Sequence, residues 1–119
     1  KPQVRVIGIE AAGCPVLLRS LEAGENRALE EVTTRVATMA CARSDDAIFD
    51  IVHATVDEIV LVDDDEMLEA ARWLWFEMGL AADLSGAAAI AALRENRVQI
   101  SPGEKVCAIV CGAGPDALT

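Results

Sequence analysis

Residues 105–116 have the sequence KVCAIVCGAGPD, in which an apolar run ends at two closely spaced glycines. Polar and apolar residues do not alternate within the run, which predicts a strand at residues 105–111 that is buried on both faces. Such strands occur in parallel sheets, and their carboxyl ends border a ligand crevice. Gly112 and Gly114 would let the backbone turn there and approach a bound group closely. The alternative is a simple turn, with Cys111 as a small buried hydrophobic residue.

The length and composition of the chain indicate one globular domain over residues 1–119. With 119 residues, of which 53% are apolar, the chain is long enough to bury a core of its own. Its net charge of −10 and the lack of a lysine and arginine cluster argue against nucleic acids and anionic membranes as partners. The sequence has no apolar run of membrane-spanning length and no signal-peptide pattern. We therefore expect a cytoplasmic protein.

The residues that most often bind metals do not form a metal-binding pattern in this sequence. Four cysteines occur without C-x-x-C spacing, and the single histidine, His53, lies in an apolar-periodic segment and is expected to pack or to face solvent. The acidic run at residues 63–66 could suggest calcium or magnesium, but it lacks the alternating ligands and the glycine of a calcium loop. Asp63 with Glu66 instead fits a capping box at a helix start. We predict no metal site.

Apolar periodicity, caps and turn residues predict an α/β fold. The predicted strands lie near residues 4–10, 58–62 and 105–111, and the predicted helices near residues 15–23, 46–55, 64–78 and 84–95. This alternation predicts a three-layer architecture, in which a mostly parallel sheet has helices on both faces. The last helix consists almost entirely of small residues. Asp83 would cap it and, together with Ser85, form a polar corner beside a ligand, unless the helix serves only for close packing.

In their order along the chain, these segments resemble the carboxyl-terminal part of the fold-type II pyridoxal-phosphate enzymes. This family includes threonine and serine dehydratases, threonine synthase and serine racemase. The resemblance covers nearly the whole chain and is therefore more specific than any single motif. The segments with the clearest similarity are VRVIGIE at residues 4–10, RSLEAG at 19–24, VATMAC at 36–41, SGAAAIAAL at 85–93 and VCAIVCG at 106–112.

The resemblance implies that pyridoxal phosphate is the cofactor and that four residues contact it: Cys111, Gly112, Asp83 and Ser85. In the family, the residue at the position of Cys111 faces the pyridine nitrogen. A weak, neutral partner leaves that nitrogen largely unprotonated, which suits β-elimination and replacement better than transamination. Asp83 stands where the family usually has glutamate, and Leu84 stands in place of its usual proline. Residues 112–116 differ from the dehydratase pattern and lean toward threonine synthase, so both reactions remain open.

Two parts of the family's active site have no counterpart in this sequence. The Schiff-base lysine and the glycine-rich phosphate loop precede the segment that resembles residues 4–10. The chain contains only Lys1 and Lys105, and neither lies in the motif of the Schiff-base lysine. We therefore expect no catalytic residue in this chain and only weak binding of pyridoxal phosphate.

The resulting hypothesis is that the chain is the carboxyl-terminal portion of a threonine or serine dehydratase-like lyase. This lyase would act on a small hydroxy-amino acid. We expect this portion to be inactive in isolation, and the longer protein to be a homodimer or higher homo-oligomer. One alternative is part of a threonine synthase-like enzyme that catalyses β- or γ-replacement. Others are a non-catalytic small-molecule-binding α/β module and a structural element that uses its alanine-rich helix for oligomerisation.

Overall fold

A computed structural model describes residues 3–119. This part of the chain contains two strands, four α-helices and two short 3-10 helices, joined by turns and irregular segments. In chain order the elements are β1 (Ile7–Ala11), α1 (Val16–Ala23), a 3-10 helix (Ala37–Met39), α2 (Asp46–Thr55), β2 (Glu58–Val62), α3 (Asp64–Met78), α4 (Ala88–Arg94) and a second 3-10 helix (Asp116–Leu118). None of these helices is both long enough and apolar enough to cross a membrane.

The two strands form a parallel sheet with helices on both faces. Their register runs from Ile7 opposite Glu58 to Ala11 opposite Val62. Because side chains alternate along a strand, Ile9 and Ala11 share a face with Val60 and Val62, and this face packs on the core formed with α3 and α4. Glu10, on the other face, contacts the start of α1. The predicted α/β class, with a parallel sheet between helices, is confirmed.

Glu10 joins the sheet to the amino end of α1. Its carboxylate accepts hydrogen bonds from the backbone N–H groups of Leu17 at 3.0 Å and Leu18 at 2.8 Å. Such N–H groups have no partner within the helix, so a carboxylate is well placed there. Burial raises the pKa of Glu10 above its ordinary value, and the two hydrogen bonds oppose that shift.

The predicted helix boundaries are largely confirmed because capping residues determine them. Asp45 accepts a hydrogen bond from Ala47 N at 2.8 Å at the start of α2. Asp63 and Glu66 form the predicted capping box at the start of α3, with N···O distances of 2.8 and 2.9 Å. At its other end, α3 stops at Gly79, whose φ of 67° is the left-handed conformation that glycine adopts without strain.

The remaining acids at the start of α3 bind to the protein itself. The Asp64 carboxylate accepts hydrogen bonds from Thr34 Oγ1 at 2.5 Å and from Arg35 N at 2.8 Å. Asp65 forms an ion pair with the Arg35 guanidinium at 2.9 Å. These contacts attach the segment before the first 3-10 helix to the start of α3. Each acid at residues 63–66 therefore has a partner within the protein, either in the helix cap or in the attached loop.

The predicted strand at residues 105–111 is wrong. These residues are mostly exposed and belong to neither a helix nor a strand; Val106 is 51% exposed and Ile109 is 71% exposed. An apolar run becomes a buried strand only when a neighbouring strand pairs with its backbone and helices cover its faces. Among residues 3–119, β1 and β2 pair only with each other. The segment therefore keeps its apolar side chains in solvent.

Two other boundaries differ from the prediction. The first strand begins at Ile7 instead of residue 4, and the N–H of Val6 is bound by the Asp57 carboxylate at 2.7 Å. The last helix covers only Ala88–Arg94, because residues 84–87 form turns in front of it.

Candidate functional site

The candidate site lies where the chain before α4 meets the chain after residue 111. Ala82 and Ala113 form an isolated antiparallel bridge. On either side of it, the N–H of Asp83 donates to the carbonyl of Gly112 and the N–H of Gly114 donates to the carbonyl of Ala81, both at 3.2 Å. This pairing brings together two segments that are about thirty residues apart in the sequence.

The Asp83 carboxylate organises the turns that precede α4. Its Oδ1 atom accepts hydrogen bonds from the backbone N–H of Gly86 at 2.6 Å and from the Ser85 hydroxyl at 2.9 Å. Asp83 was predicted to cap a helix that starts at residue 84, but it caps the turn at residues 84–87 instead. A second carboxylate, that of Asp116, accepts a hydrogen bond from Leu84 N at 2.8 Å. Asp116 was not among the predicted site residues, because a single aspartate in a loop gives no spacing signal.

The glycines of the site allow unusually close packing between the two segments. A Cβ atom on Gly86 would lie 2.4 Å from the carbonyl oxygen of Gly112. A Cβ atom on Gly112 would lie 2.5 Å from Asp83 Oδ1. Here the close approach that glycine permits is between two segments of the chain itself, whereas a close approach to a bound group stays a prediction.

Three of the four predicted cofactor-contacting residues come together in this structure. Asp83, Ser85 and Gly112 lie within one network of contacts. Cys111 precedes Gly112 and carries a free thiol, which is exposed and not buried as a strand would place it. A thiol is a weak, neutral hydrogen-bonding group. The corner can thus present one neutral side chain to a ligand while Asp83 fixes the adjoining backbone.

Two surface cavities lie outside this corner. One, of about 340 Å³, is polar, and its lining includes Gly13, Thr34, Asp64 and other residues of the loop attachment at α3. The other, of about 270 Å³, is lined by residues around Glu10 and Cys41. Neither is lined by Asp83 or Cys111. The candidate site is therefore a surface corner that would need further protein to enclose a ligand.

Replacing Asp83 with alanine should destabilise the chain by about 1–2 kcal/mol, because Gly86 N and the Ser85 hydroxyl lose their acceptor. Asparagine retains one acceptor oxygen and should cost less than alanine. The free energies of unfolding can be measured in urea. Asp50→Ala, which removes an exposed acid on α2, is the control and should change the value by less than about 0.5 kcal/mol. Equal values for Asp83→Ala and Asp50→Ala would contradict the capping role.

Comparison with known proteins gives consistent results for sequence and structure. A family model described as "Pyridoxal-phosphate dependent enzyme" matches residues 1–112. An L-threonine ammonia-lyase from Thermotoga maritima is 30% identical over 97% of this chain and 28% of its own length. A phenylserine dehydratase from Ralstonia pickettii is 30% identical over 99% of this chain and 36% of its own length. The chain thus spans about a third of the relatives that it matches.

The solved structures agree with this assignment. The processed form of threonine deaminase isoform 2 from Solanum lycopersicum superimposes with a TM-score of 0.83 and 27% identity, over 95% of this chain and 33% of that chain. The family match over residues 1–112 shows that the chain belongs to the pyridoxal-phosphate dependent enzymes, with the architecture of the fold-type II branch.

Proposed function

We propose that this chain is the carboxyl-terminal part of a pyridoxal-phosphate-dependent lyase that catalyses β-elimination on a hydroxy-amino acid such as threonine or serine, with release of ammonia. The observation that carries the proposal is the family match over residues 1–112, together with relatives whose names are threonine ammonia-lyase and phenylserine dehydratase. In the proposed enzyme, residues 1–119 form a single domain. We place the enzyme in the cytoplasm as a homodimer or higher homo-oligomer.

The chemistry of the candidate corner fits the ring end of the cofactor. When bound, pyridoxal phosphate withdraws electrons from the substrate's α-carbon and so labilises its bonds. Cys111 offers an exposed, free thiol that can hydrogen-bond to the pyridine nitrogen. A neutral thiol does not force a proton onto that nitrogen, which favours elimination over transamination. This role for Cys111 is a proposal that the free thiol and the family membership support.

Asp83 and Ser85 would act on the cofactor through the backbone. The Asp83 carboxylate is held by Ser85 Oγ and Gly86 N, and its own N–H binds the Gly112 carbonyl. These bonds fix the peptide that follows Gly112, the residue next to Cys111, and so restrict where the backbone can place the Cys111 thiol. We therefore propose that Asp83, Ser85 and Gly112 position Cys111 at the ring.

The exposed segment at residues 105–111 supports a longer parent protein. Its apolar pattern is that of a buried strand, yet Val106, Ile109 and Val110 are 51%, 71% and 38% exposed. A neighbouring strand from another part of the enzyme would pair with its backbone, and additional layers would cover its side chains. We propose that the same additional part supplies the Schiff-base lysine and the phosphate loop.

The longer enzyme that contains this chain should convert threonine or serine to a 2-oxo acid and free ammonia. Cys111→Ala should lower turnover about tenfold with the cofactor still bound, since one hydrogen bond of roughly 1.4 kcal/mol is lost. The measurement is ammonia release at saturating substrate, with cofactor occupancy followed by absorbance.

Cys107→Ala is the matched control, because Cys107 is an exposed cysteine in the same segment, four residues before Cys111. Unchanged turnover in Cys111→Ala at full cofactor occupancy would contradict the role of this thiol. A threonine synthase-like replacement would instead keep the amino group in an amino-acid product and release no ammonia, because the substrate's side chain and not its amine is exchanged.

A further inference from the structure

Two cysteines that are far apart in the sequence touch each other in the structure. Cys14 lies in the turn after β1 and is only 1% exposed, whereas Cys41 lies just beyond the first 3-10 helix and is exposed. The Cys14 thiol donates to the carbonyl oxygen of Cys41 at 3.2 Å. The same sulfur accepts a hydrogen bond from the N–H of Cys41, also at 3.2 Å. The Cys14 sulfur therefore lies directly against the backbone of Cys41.

This contact brings the Cys14 sulfur to 3.2 Å from two backbone atoms of Cys41, next to the carbon that bears the Cys41 side chain. Native disulfides join cysteines whose Cα atoms are about 4.4–6.8 Å apart, a spacing that a sulfur in contact with its partner's backbone approaches. The Cys41 thiol now donates to the Arg43 carbonyl at 3.0 Å. Rotation about the Cα–Cβ bond of Cys41 would break this one weak hydrogen bond and turn its sulfur toward Cys14.

Backbone hydrogen bonds hold both cysteines in place. The N–H of Cys14 donates to the Ala11 carbonyl at 2.8 Å, and the N–H of Thr33 donates to the Gly13 carbonyl at 2.8 Å. Beside Cys41, the Ala42 carbonyl accepts a hydrogen bond from Leu29 N at 2.7 Å. Both cysteines therefore lie on ordered segments. Because these segments are already ordered, forming a bond between the two sulfurs has a smaller cost in conformational entropy.

A small oxidant can reach one of the two sulfurs. Cys41 lines the open cavity of about 270 Å³ together with Glu10, Thr38 and Ser44, whereas Cys14 is buried. Because exposure governs which thiol meets a soluble oxidant first, Cys41 is the attacking residue and Cys14 is the resolving residue.

We propose that Cys14 and Cys41 form a redox-reactive pair that closes to a disulfide on contact with a hydroperoxide. The Cys41 thiolate attacks one peroxide oxygen, so an S–O bond forms and the O–O bond breaks to release hydroxide or alkoxide. The Cys14 thiolate then attacks the Cys41 sulfur, so the S–S bond forms and the S–O bond breaks to release hydroxide. The two sulfurs lose two electrons, the peroxide gains them, and the thiol protons leave in water or alcohol.

The disulfide would link the β1–α1 turn to the chain that follows the first 3-10 helix. It would close the loop from residue 14 to residue 41 and restrict the unfolded chain, so the oxidised protein should have the higher Tm. It would also remove the exposed thiol from the cavity beside Glu10.

Peptide mapping of the wild-type chain tests the proposal directly. The protein is treated with hydrogen peroxide, its remaining thiols are alkylated, and it is cut with trypsin without reduction. Cleavage at arginine and lysine puts Cys14 on residues 6–19, Cys41 on residues 36–43, and both Cys107 and Cys111 on residues 106–119. We expect a disulfide-linked species of the first two peptides, which separates on reduction.

Two variants identify the order of attack. Cys14→Ser should leave Cys41 as a sulfenic acid that a dimedone probe labels, whereas Cys41→Ser should leave Cys14 unlabelled. A Cys107→Ser/Cys111→Ser double variant should still form the 14–41 link at the wild-type rate. The proposal is overturned if wild-type Cys41 oxidises without linking to Cys14, if Cys14 links instead to peptide 106–119, or if Cys41 resists peroxide while Cys107 and Cys111 react.

Discussion

Replacing Gly86 with alanine should destabilise the protein by about 3 kcal/mol or more, a large part of the stability of a small domain. The new Cβ atom would lie 2.4 Å from the carbonyl oxygen and 2.8 Å from the nitrogen of Gly112. Both are backbone atoms, and the Gly112 carbonyl also accepts a hydrogen bond from Asp83 N. The segment around Gly112 and the turns before α4 would have to separate, which would break that bond.

Urea unfolding of Gly86→Ala and two other glycine variants separates steric contact from backbone strain. Gly24 has a φ of 75° and nothing within 4 Å of an added Cβ, so Gly24→Ala should cost only the strain of about 1–2 kcal/mol. At Gly8, an added Cβ would meet the flexible Ile59 side chain at 3.2 Å, and the effect should be small. If Gly86→Ala is as stable as Gly8→Ala, the close packing of Gly86 on Gly112 is wrong.

The sequence predicts most of the secondary structure because the signals for it are local. The predicted bounds 46–55, 58–62 and 64–78 coincide with those of α2, β2 and α3. Asp45 and Asp63 accept hydrogen bonds from backbone N–H groups two or three positions later, and Glu66 accepts one from the N–H of Asp63, three positions earlier. For α2 and α3, an apolar period together with such a cap is therefore sufficient to define the helix.

The failures occur where a structure depends on residues that are distant in the sequence. The apolar pattern of residues 105–111 is typical of a strand that is buried on both faces. Such a strand forms only if a neighbouring strand pairs with its backbone. The start of α4 is later than predicted, and the turns before it pack through Gly86 on Gly112 and are held by Asp116. Composition and periodicity contain no information about either contact.

The position of the candidate site was predicted from the residues themselves, with Asp83 and Ser85 at a helix start and Gly112 after an apolar run, whereas the cofactor was predicted from the resemblance. Asp83, Ser85 and Gly112 lie together as expected, but the role of each in contacting the cofactor stays a prediction. The contact between Cys14 and Cys41 could not be predicted, because their spacing matches neither a metal motif nor a disulfide framework. A pairing across 27 residues becomes evident only from the fold.

The isolated 119-residue chain should release no ammonia from threonine or serine and should bind pyridoxal phosphate weakly. Tight binding of this cofactor requires a lysine for its aldehyde and a nest of backbone N–H groups for its phosphate. Cys111 can supply only one hydrogen bond at the far end of the ring, from an exposed position. Lys105 lies in the exposed, irregular segment and lines neither of the two surface cavities described above.

Borohydride reduction and peptide mapping provide the measurement, alongside an ammonia-release assay. Colour on adding the cofactor is insufficient evidence, because any exposed amine condenses with an aldehyde. We expect partial label distributed over Lys1, Lys105 and the terminal amine, with no ammonia above the blank. Stoichiometric label on one lysine together with steady turnover would show a complete active site in this chain. A lone thiol cannot supply both the covalent anchor and the phosphate contacts, so such a result would mean that the chain itself provides them. The proposal that another part of the enzyme supplies the lysine and the phosphate loop would then be wrong.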